Sequence, residues 1–217
     1  LPDKPQWSLM LSVSKTVFPG KRCSIRAIRL VQQVVIGALL LLLAVEAVAA
    51  NPLAAYKDRY YQLQAVDGLP QAPAFSLATL EGEIHQLDGY RGQVVVINFW
   101  STWCAPCRKE MPSLERAWQQ LKSENIRVLG VAIQDDPEMI AHFLKEYQIS
   151  FPILMDSDGQ VAQSWPFSGI PATFVLDGEG RIVYRALGLR EWDHDTILQK
   201  VRALVPSKEN TPAAVPQ

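Results

Sequence analysis

Two nearly continuous apolar runs, Val94–Trp100 and Ile126–Ile133, dominate the middle of the chain. Both runs are rich in β-branched and aromatic side chains, which is typical of central strands that are covered on both faces. Apolar residues then recur at helical spacing through residues 105–122 and again through residues 137–147, where Pro137 suits the first turn of a helix. The pattern therefore predicts two buried strands, each followed by a helix.

Shorter elements surround this centre. Their alternating polar and apolar residues and their turn signals predict two hairpins, one short strand and one closing helix. These are a hairpin of residues 75–80 and 84–87, a strand at 153–155, a hairpin of residues 173–176 and 182–186, and a helix at 193–204 capped by Asp193 or Asp195. Parallel crossovers then lie beside an antiparallel edge. We therefore expect an α/β fold, a three-layer α/β/α sandwich with a central mixed β-sheet and an N-terminal β-hairpin extension.

The N-terminal residues 1–50 follow a different pattern. Basic residues precede an apolar segment at about residues 30–50, and within that segment Val34 to Val45 holds no polar or charged side chain. A basic flank before such a segment is typical of an export signal. The segment just reaches the roughly 20 residues that a membrane-spanning helix needs, whereas Ala47-Val48-Ala49 resembles a signal-peptide cleavage site. Both interpretations, a signal anchor and a cleaved signal peptide, remain open.

Composition places one globular domain after this segment. The chain has 217 residues, of which 48% are hydrophobic and 20% charged, and this composition suits a single well-buried core. Residues 51–73 are polar and contain prolines, so we expect a linker there. Residues 74–205 hold the predicted domain, and the Pro- and Ala-rich residues 206–217 predict a disordered tail. The formal net charge of -1 provides no basic field for a phosphate backbone, so we expect no nucleic-acid partner.

The candidate chemistry lies in the cysteines. Cys23 precedes the apolar segment, so it stays on the cytoplasmic side or leaves with the signal, and it cannot pair with the other two. Cys104 and Cys107 are three residues apart at the start of a predicted helix, where their side chains share one face. The unsatisfied N–H groups and the positive dipole end of a helix start favour a thiolate. We therefore expect Cys104 to be the nucleophile and Cys107 to be shielded.

The same cysteine spacing also occurs in zinc sites and in structural disulfides. A zinc site needs two further ligands, and His85, His142 and His194 show no paired ligand spacing, so we expect no metal. A structural disulfide usually joins distant segments, whereas this pair closes a very small loop. We therefore expect a redox-active Cys104–Cys107 disulfide that works without a further cofactor.

These residues carry a resemblance to a known family. The run Val94–Trp100, the box Trp103-Cys104-Ala105-Pro106-Cys107 and the distant Gly-Ile-Pro-Ala-Thr-Phe of residues 169–174 resemble the thioredoxin superfamily. The continuation of the box through residues 109–114, the preceding hairpin and the export segment resemble the TlpA- and ResA-like thiol–disulfide oxidoreductases. These are membrane-tethered or periplasmic proteins associated with cytochrome c maturation.

The resemblance implies roles for several residues. It implies a cis Ile170–Pro171 bond beside the two sulfurs, where the backbone of Ile170 pairs with an extended substrate; the alternative is an ordinary turn proline. Cytosolic thioredoxins have a buried carboxylate at the position of Asn98, and an amide cannot act as a base for Cys107. In the TlpA- and ResA-like group an acid after the next strand takes this role, which implies Asp135. The neighbouring Asp136, or a helix-capping role for either acid, is the alternative.

Aromatic residues and a proline complete the expected site. Trp103 and Trp100 flank the box and are interpreted either as a rim against which a partner docks or as core packing. Pro106 is the second of the two residues between the cysteines. We expect these residues to support the redox pair rather than to react.

The predicted reaction is dithiol–disulfide exchange. The Cys104 thiolate attacks a substrate disulfide, and Cys107 then attacks the mixed disulfide and releases the reduced substrate. The resemblance implies exported proteins as substrates, such as the cysteines of apocytochrome c, and a membrane thiol carrier that regenerates the dithiol. The expected location is the bacterial cell envelope, with a periplasmic or extracytoplasmic catalytic domain that is attached to the inner membrane if the apolar segment is uncleaved.

The direction of electron flow remains open, because related boxes span roughly −270 to −120 mV. A disulfide oxidase or isomerase is the main alternative to a reductase. A thioredoxin-like binding module would be expected to have lost one sulfur or the proline, and this chain keeps all three. A peroxidase of related fold would place its attacking cysteine differently and would not need Cys107.

Overall fold

A computed structural model of the chain describes residue 29, residues 32–38 and residues 60–206. Residues 32–38 are helical. Cys23, most of the apolar segment, the candidate cleavage site, most of the expected linker and the tail after residue 206 lie outside the described residues. Among the helices that are described, none is long and apolar enough to cross a membrane.

A six-stranded mixed sheet organises residues 60–206. Its strands are β1 (Gln64–Ala65), β4 (Val94–Trp100), β5 (Ile126–Ile133), β6 (Ile153–Asp156), β7 (Ala172–Leu176) and β8 (Ile182–Leu187). They lie in the order β1-β8-β7-β4-β5-β6. Strands β4, β5 and β6 run parallel, whereas β7 pairs antiparallel with both β4 and β8, and β1 pairs antiparallel with β8.

A separate hairpin and the helices cover this sheet. The hairpin consists of β2 (Ser76–Ala78) and β3 (Ile84–Gln86), and a 3-10 turn follows at Leu87–Tyr90. The helices are α1 (Ala105–Leu121), α2 (Pro137–Tyr147), α3 (Gln160–Ser164) and α4 (Asp195–Arg202). The hairpin reaches the outer edge of the sheet, where Thr79 bridges Leu154 of β6.

Each face of the sheet has its own hydrophobic core. Because side chains alternate along a strand, Val94, Val96 and Trp100 of β4 pack with α1, α2 and α4. Val95, Ile97 and Phe99 of β4 point to the other face and pack with the hairpin segment and the short α3. The expected α/β/α arrangement with a central mixed sheet is confirmed, although α3 makes the second helical layer thin.

The long elements agree with the sequence pattern, and the two hairpins and the strand at 153–155 are also confirmed, with bounds within about two residues of those predicted. The start of the domain and the closing helix require corrections. Strands β4 and β5 and helix α2 have the predicted bounds. The expected linker at 51–73 is too long, because β1 pairs with β8 and Leu63 lies in the core. The domain therefore begins before residue 74, at a strand too short to leave a periodic signal.

The closing helix also begins later than expected. Its first residue is Asp195, and the side chain of His194 accepts a hydrogen bond from Thr196 N as the helix cap. Asp193 is not the cap, because its carboxylate forms an ion pair with Arg116, at 2.6 Å from Nε. The expectation that Asp193 or Asp195 caps this helix is therefore wrong.

Candidate active site

Cys104 and Cys107 lie where β4 ends and α1 begins. They form a disulfide with an S–S distance of 2.11 Å and Cα atoms 5.2 Å apart. Cys104 is the N-cap of α1, and its sulfur accepts a hydrogen bond from the backbone N–H of Cys107 at 3.3 Å. Cys107 is fully buried, whereas Cys104 is 6% exposed. The sulfur of Cys104 therefore occupies the helix start, where backbone N–H groups favour a thiolate.

The loop that leads into this pair is held by Asp135. Its carboxylate accepts hydrogen bonds from Thr102 N, from Thr102 Oγ1 at 2.7 Å and from Asp136 N at 2.9 Å. Asp136 caps α2, because its side chain accepts from the backbone N–H groups of Glu138 and Met139. These hydrogen bonds of Asp135 do not reach a cysteine sulfur. They give Asp135 a structural role, while its role as a base for Cys107 stays a prediction.

A cis peptide bond joins Ile170 to Pro171, as the resemblance implies. The carbonyl oxygen of Ile170 lies 3.8 Å from the sulfur of Cys104. On the far side, the carbonyl of Pro171 accepts a hydrogen bond from Gly188 N at 2.8 Å. The backbone of Ile170 therefore lies beside the nucleophile, where an extended segment of a substrate can pair with it.

A buried polar cluster lies behind the cysteines. Asn98 of β4 donates two hydrogen bonds from Nδ2, to Thr173 Oγ1 at 2.8 Å and to Glu110 Oε1 at 2.7 Å. Glu110 lies one turn after Cys107 on α1 and is only 1% exposed. Its other oxygen, Oε2, accepts from the backbone N–H of Arg190 at 2.9 Å. Asn98 is therefore not itself an acid, but it is hydrogen-bonded to a buried one, Glu110 of α1.

Burial raises the pKa of Glu110 to about 7, because removal from water penalises the carboxylate. The hydrogen bonds from Arg190 N and Asn98 lower this pKa and offset only part of the desolvation. The indole N–H of Trp192 also lowers the pKa of Glu110, although it lies outside normal hydrogen-bonding geometry. A carboxyl group that titrates near neutral pH can exchange a proton with a neighbouring thiol.

The sequence pattern does not single out Glu110. It follows Arg108 and Lys109, both exposed, so this part of α1 has the composition of a solvent-facing turn. The available signal is its spacing, because residues three apart on a helix share a face and Glu110 is three residues after the buried Cys107.

The two tryptophans have different environments. Trp100 is fully buried and packs against Phe143, with ring centroids 5.2 Å apart, so it belongs to the core. Trp103 is 63% exposed beside Cys104. Leu187, which pairs with Ala172 next to the cis-proline, is also exposed. Of the two interpretations, core packing therefore holds for Trp100, while Trp103 lies on the surface around the disulfide.

Comparison with known proteins assigns this site to a family. The model of the AhpC/TSA family matches residues 70–185, more than half of the chain. This chain belongs to the AhpC/TSA family. The thiol-disulfide oxidoreductase ResA of Geobacillus thermodenitrificans is 34% identical over 154 residues, which cover 71% of this chain and 84% of that protein. ResA of Bacillus subtilis is 34% identical over 112 residues, and this match spans 52% of the chain and 63% of the relative.

A solved structure extends the likeness to the fold. The thiol:disulfide interchange protein of the thioredoxin family from Chlorobium tepidum matches with a TM-score of 0.56 and 26% identity. The match covers 63% of this chain and 99% of that one. The expected resemblance to the thioredoxin superfamily and to ResA-like proteins is confirmed. At the level of the family, so is the expected class of enzyme, a thiol–disulfide oxidoreductase.

Proposed function

We propose that this protein reduces disulfides of exported proteins by dithiol–disulfide exchange at Cys104 and Cys107. The observation that carries the proposal is the buried carboxyl group of Glu110, one turn behind a disulfide that caps a helix. This arrangement combines a slightly exposed sulfur at the helix start with a fully buried sulfur, and a buried carboxyl group follows the second sulfur by one turn of the helix.

The exchange proceeds in two steps. The Cys104 thiolate attacks one sulfur of the substrate disulfide, forms a mixed disulfide and releases the other substrate sulfur as a thiolate. Cys107 then loses its proton to Glu110 and attacks the sulfur of Cys104, which releases the second substrate thiolate and leaves the Cys104–Cys107 disulfide. We assign the proton to Glu110 rather than to Asp135, because the hydrogen bonds of Asp135 hold the Thr102 loop instead.

Electrostatics at the site supports the reducing direction. A disulfide becomes a stronger oxidant when its reduced, thiolate form is stabilised. Ala105 and Pro106, between the cysteines, carry no charge that could stabilise a thiolate. The buried Glu110 acts in the opposite sense, because a carboxylate near the sulfurs disfavours a thiolate and thereby favours the disulfide product.

The surface around the disulfide is suited to binding a protein substrate. An extended segment can pair with the backbone of Ile170, while the exposed Trp103 offers an apolar contact beside Cys104. We propose exported proteins as substrates, such as apocytochrome c with its haem-binding cysteines, and a membrane thiol carrier as the source of electrons. The proposed location is the extracytoplasmic side of the bacterial cell envelope, with attachment to the inner membrane if the apolar segment at about residues 30–50 is uncleaved.

The reduction potential tests the direction of the reaction. Equilibration of the protein with glutathione should give a value near the reducing end of the range of related boxes, which runs from roughly −270 to −120 mV. A value near the oxidising end would refute a reductase and favour the alternative, a disulfide oxidase or isomerase.

Trapping tests the substrates. In cells, the variant Cys107→Ala should accumulate mixed disulfides through Cys104, because the resolving sulfur is absent. The double variant Cys104→Ala, Cys107→Ala is the matched control and should trap nothing. Trapped c-type cytochrome precursors would support the proposed substrate, whereas a failure to trap any partner would favour a binding module.

A further inference from the structure

Arg190 is a buried arginine that takes no part in the proposed exchange. It is 3% exposed and lies in the loop of residues 188–192, which follows β8. Its Nη1 donates to the carbonyls of Leu187, Gly188 and Leu189 at 3.3, 3.1 and 2.9 Å. Burial of a guanidinium is costly unless its N–H groups are hydrogen-bonded, so the backbone must adopt a conformation in which these carbonyls point toward Arg190. The side chain of Arg190 therefore sets the shape of its own loop.

The same loop contacts two parts of the active site. The backbone N–H of Arg190 donates to Glu110 Oε2 at 2.9 Å, and Gly188 N donates to the carbonyl of Pro171 at 2.8 Å. The loop is also docked on α1 through Ser113, whose Oγ accepts from Trp192 N at 3.1 Å. The position of this loop thus determines where two backbone N–H donors lie, that of Arg190 for Glu110 and that of Gly188 for the carbonyl of Pro171.

The segment before β1 is hydrogen-bonded to the same loop. Arg190 Nε donates to the carbonyl of Gln62 at 2.9 Å, and Glu191 N donates to the carbonyl of Tyr60 at 3.1 Å. Strand β1 continues this attachment by pairing with β8. Arg190 is therefore the residue through which the N-terminal segment of the domain is joined to the acid of the site.

We propose that Arg190 is a positioning residue, whose side chain fixes the loop so that its own backbone N–H holds Glu110 in place behind Cys107. This proposal rests on the proposed role of Glu110. The backbone N–H and the charge of Arg190 both lower the pKa of Glu110. The other groups that lower this pKa are uncharged, Asn98 from β4 and Trp192 from the end of the loop, and Cys107 lies one turn before Glu110 on α1.

The test is a direct titration of Glu110 in the full-length protein. The chain is labelled with ¹³C at the glutamate carboxyl carbons and kept in the disulfide form, in which neither cysteine titrates. In Arg190→Gln, the midpoint of the Glu110 signal should move upward by about one pH unit, the size expected when a carboxylate loses one charge-assisted hydrogen bond. An unchanged midpoint in the folded variant would overturn the proposal.

A matched control and a second variant sharpen the result. Arg185→Gln removes one arginine charge and the exposed contact of Arg185 Nε with Gln64 Oε1 at 3.3 Å, but leaves the backbone pairing of β1 with β8 and the contacts of Arg190 in place, so it should leave the midpoint unchanged. The charge of Arg190 itself lowers the pKa of Glu110, so part of the shift in Arg190→Gln follows from the loss of that charge. Arg190→Lys keeps the charge but cannot serve the same set of carbonyls, so it should still shift the midpoint upward, by less than Arg190→Gln, and an unchanged midpoint in it overturns the positioning role. If Arg190→Gln does not fold, the lysine variant decides the test, and an unchanged midpoint in it overturns the proposal.

A rate measurement separates this proposal from the proposed function. The release of substrate from the mixed disulfide should change its pH dependence in Arg190→Gln by the same shift as the Glu110 midpoint. A shifted midpoint with an unchanged rate profile supports the positioning of Glu110 by Arg190 and overturns the role of Glu110 as proton acceptor. An unshifted midpoint overturns the role of Arg190, whatever the rate shows.

Discussion

Replacing Glu110 with glutamine should flatten the pH dependence of the free energy of unfolding. Burial raises the pKa of Glu110 from 4.5 to about 7 in the folded protein. Between these values the folded protein holds a proton that the unfolded chain has released. The stability associated with this group is therefore fully present below pH 4.5 and is lost as the pH rises through about 7.

The size of the effect follows from the two pKa values. They differ by about 2.5, from 4.5 to about 7, and a difference of one corresponds to about 1.4 kcal/mol. The wild-type protein should therefore lose about 3 kcal/mol relative to Glu110→Gln across this range of pH. Solvent screening should reduce this value little, because Glu110 is only 1% exposed.

The assay is urea unfolding of the disulfide form at a series of pH values. Glutamine has one carbonyl oxygen and one amide group, so it can accept from only one of the two donors, Asn98 and Arg190 N. The variant should be less stable by about 1 kcal/mol at low pH for this reason. The readout is therefore how the difference in the free energy of unfolding between wild type and Glu110→Gln changes with pH. Glu138→Gln, which removes an exposed carboxyl group from α2, is the control. A difference between wild type and Glu110→Gln that stays constant with pH would refute the reasoning.

Two further variants test the other residues of the site. Asp135→Asn should lower the free energy of unfolding by about 1–2 kcal/mol, because it weakens the hydrogen bonds to Thr102. It should leave the pH dependence of mixed-disulfide release unchanged, whereas a displaced pH profile would identify Asp135 as the base. Trp103→Ala should change the stability by no more than about 0.5 kcal/mol, because the side chain is 63% exposed. It should lower kcat/KM for a disulfide-bonded protein more than for glutathione disulfide, and equal losses on both would contradict a docking role.

The predictable part of this protein is the part with long, regular patterns. Strands β4 and β5 are buried on both faces, so their sequences are nearly all apolar and leave one interpretation. The cysteine pair could be placed because it directly follows β4 and opens a helix. The distant Pro171 could be placed beside it only through the resemblance, because no local pattern links residues so far apart in the chain.

The residues that escaped prediction owe their environment to distant partners. Glu110 is buried because Asn98 and the backbone of Arg190 supply donors from other elements, which the charged neighbours of Glu110 in the sequence do not reveal. Arg190 is typical of an exposed position by residue type, yet it is buried because its own loop and Gln62 supply carbonyl acceptors. Such long-range hydrogen bonding has no periodic signal in a single sequence.

The hairpin of β2 and β3 has a consequence for self-association. Strand β6 ends the sheet on one side, and the free backbone groups of an edge strand can pair with a second molecule and start aggregation. Thr79 occupies part of that edge by bridging Leu154, while the opposite edge, β1, is only two residues long. In the part of the chain that the structure describes, the extension thus occupies one position of the β6 edge and makes it harder for another copy to add a strand there. For a protein whose cysteines must meet partner disulfides one at a time, this keeps contacts between copies from competing with contacts to partners.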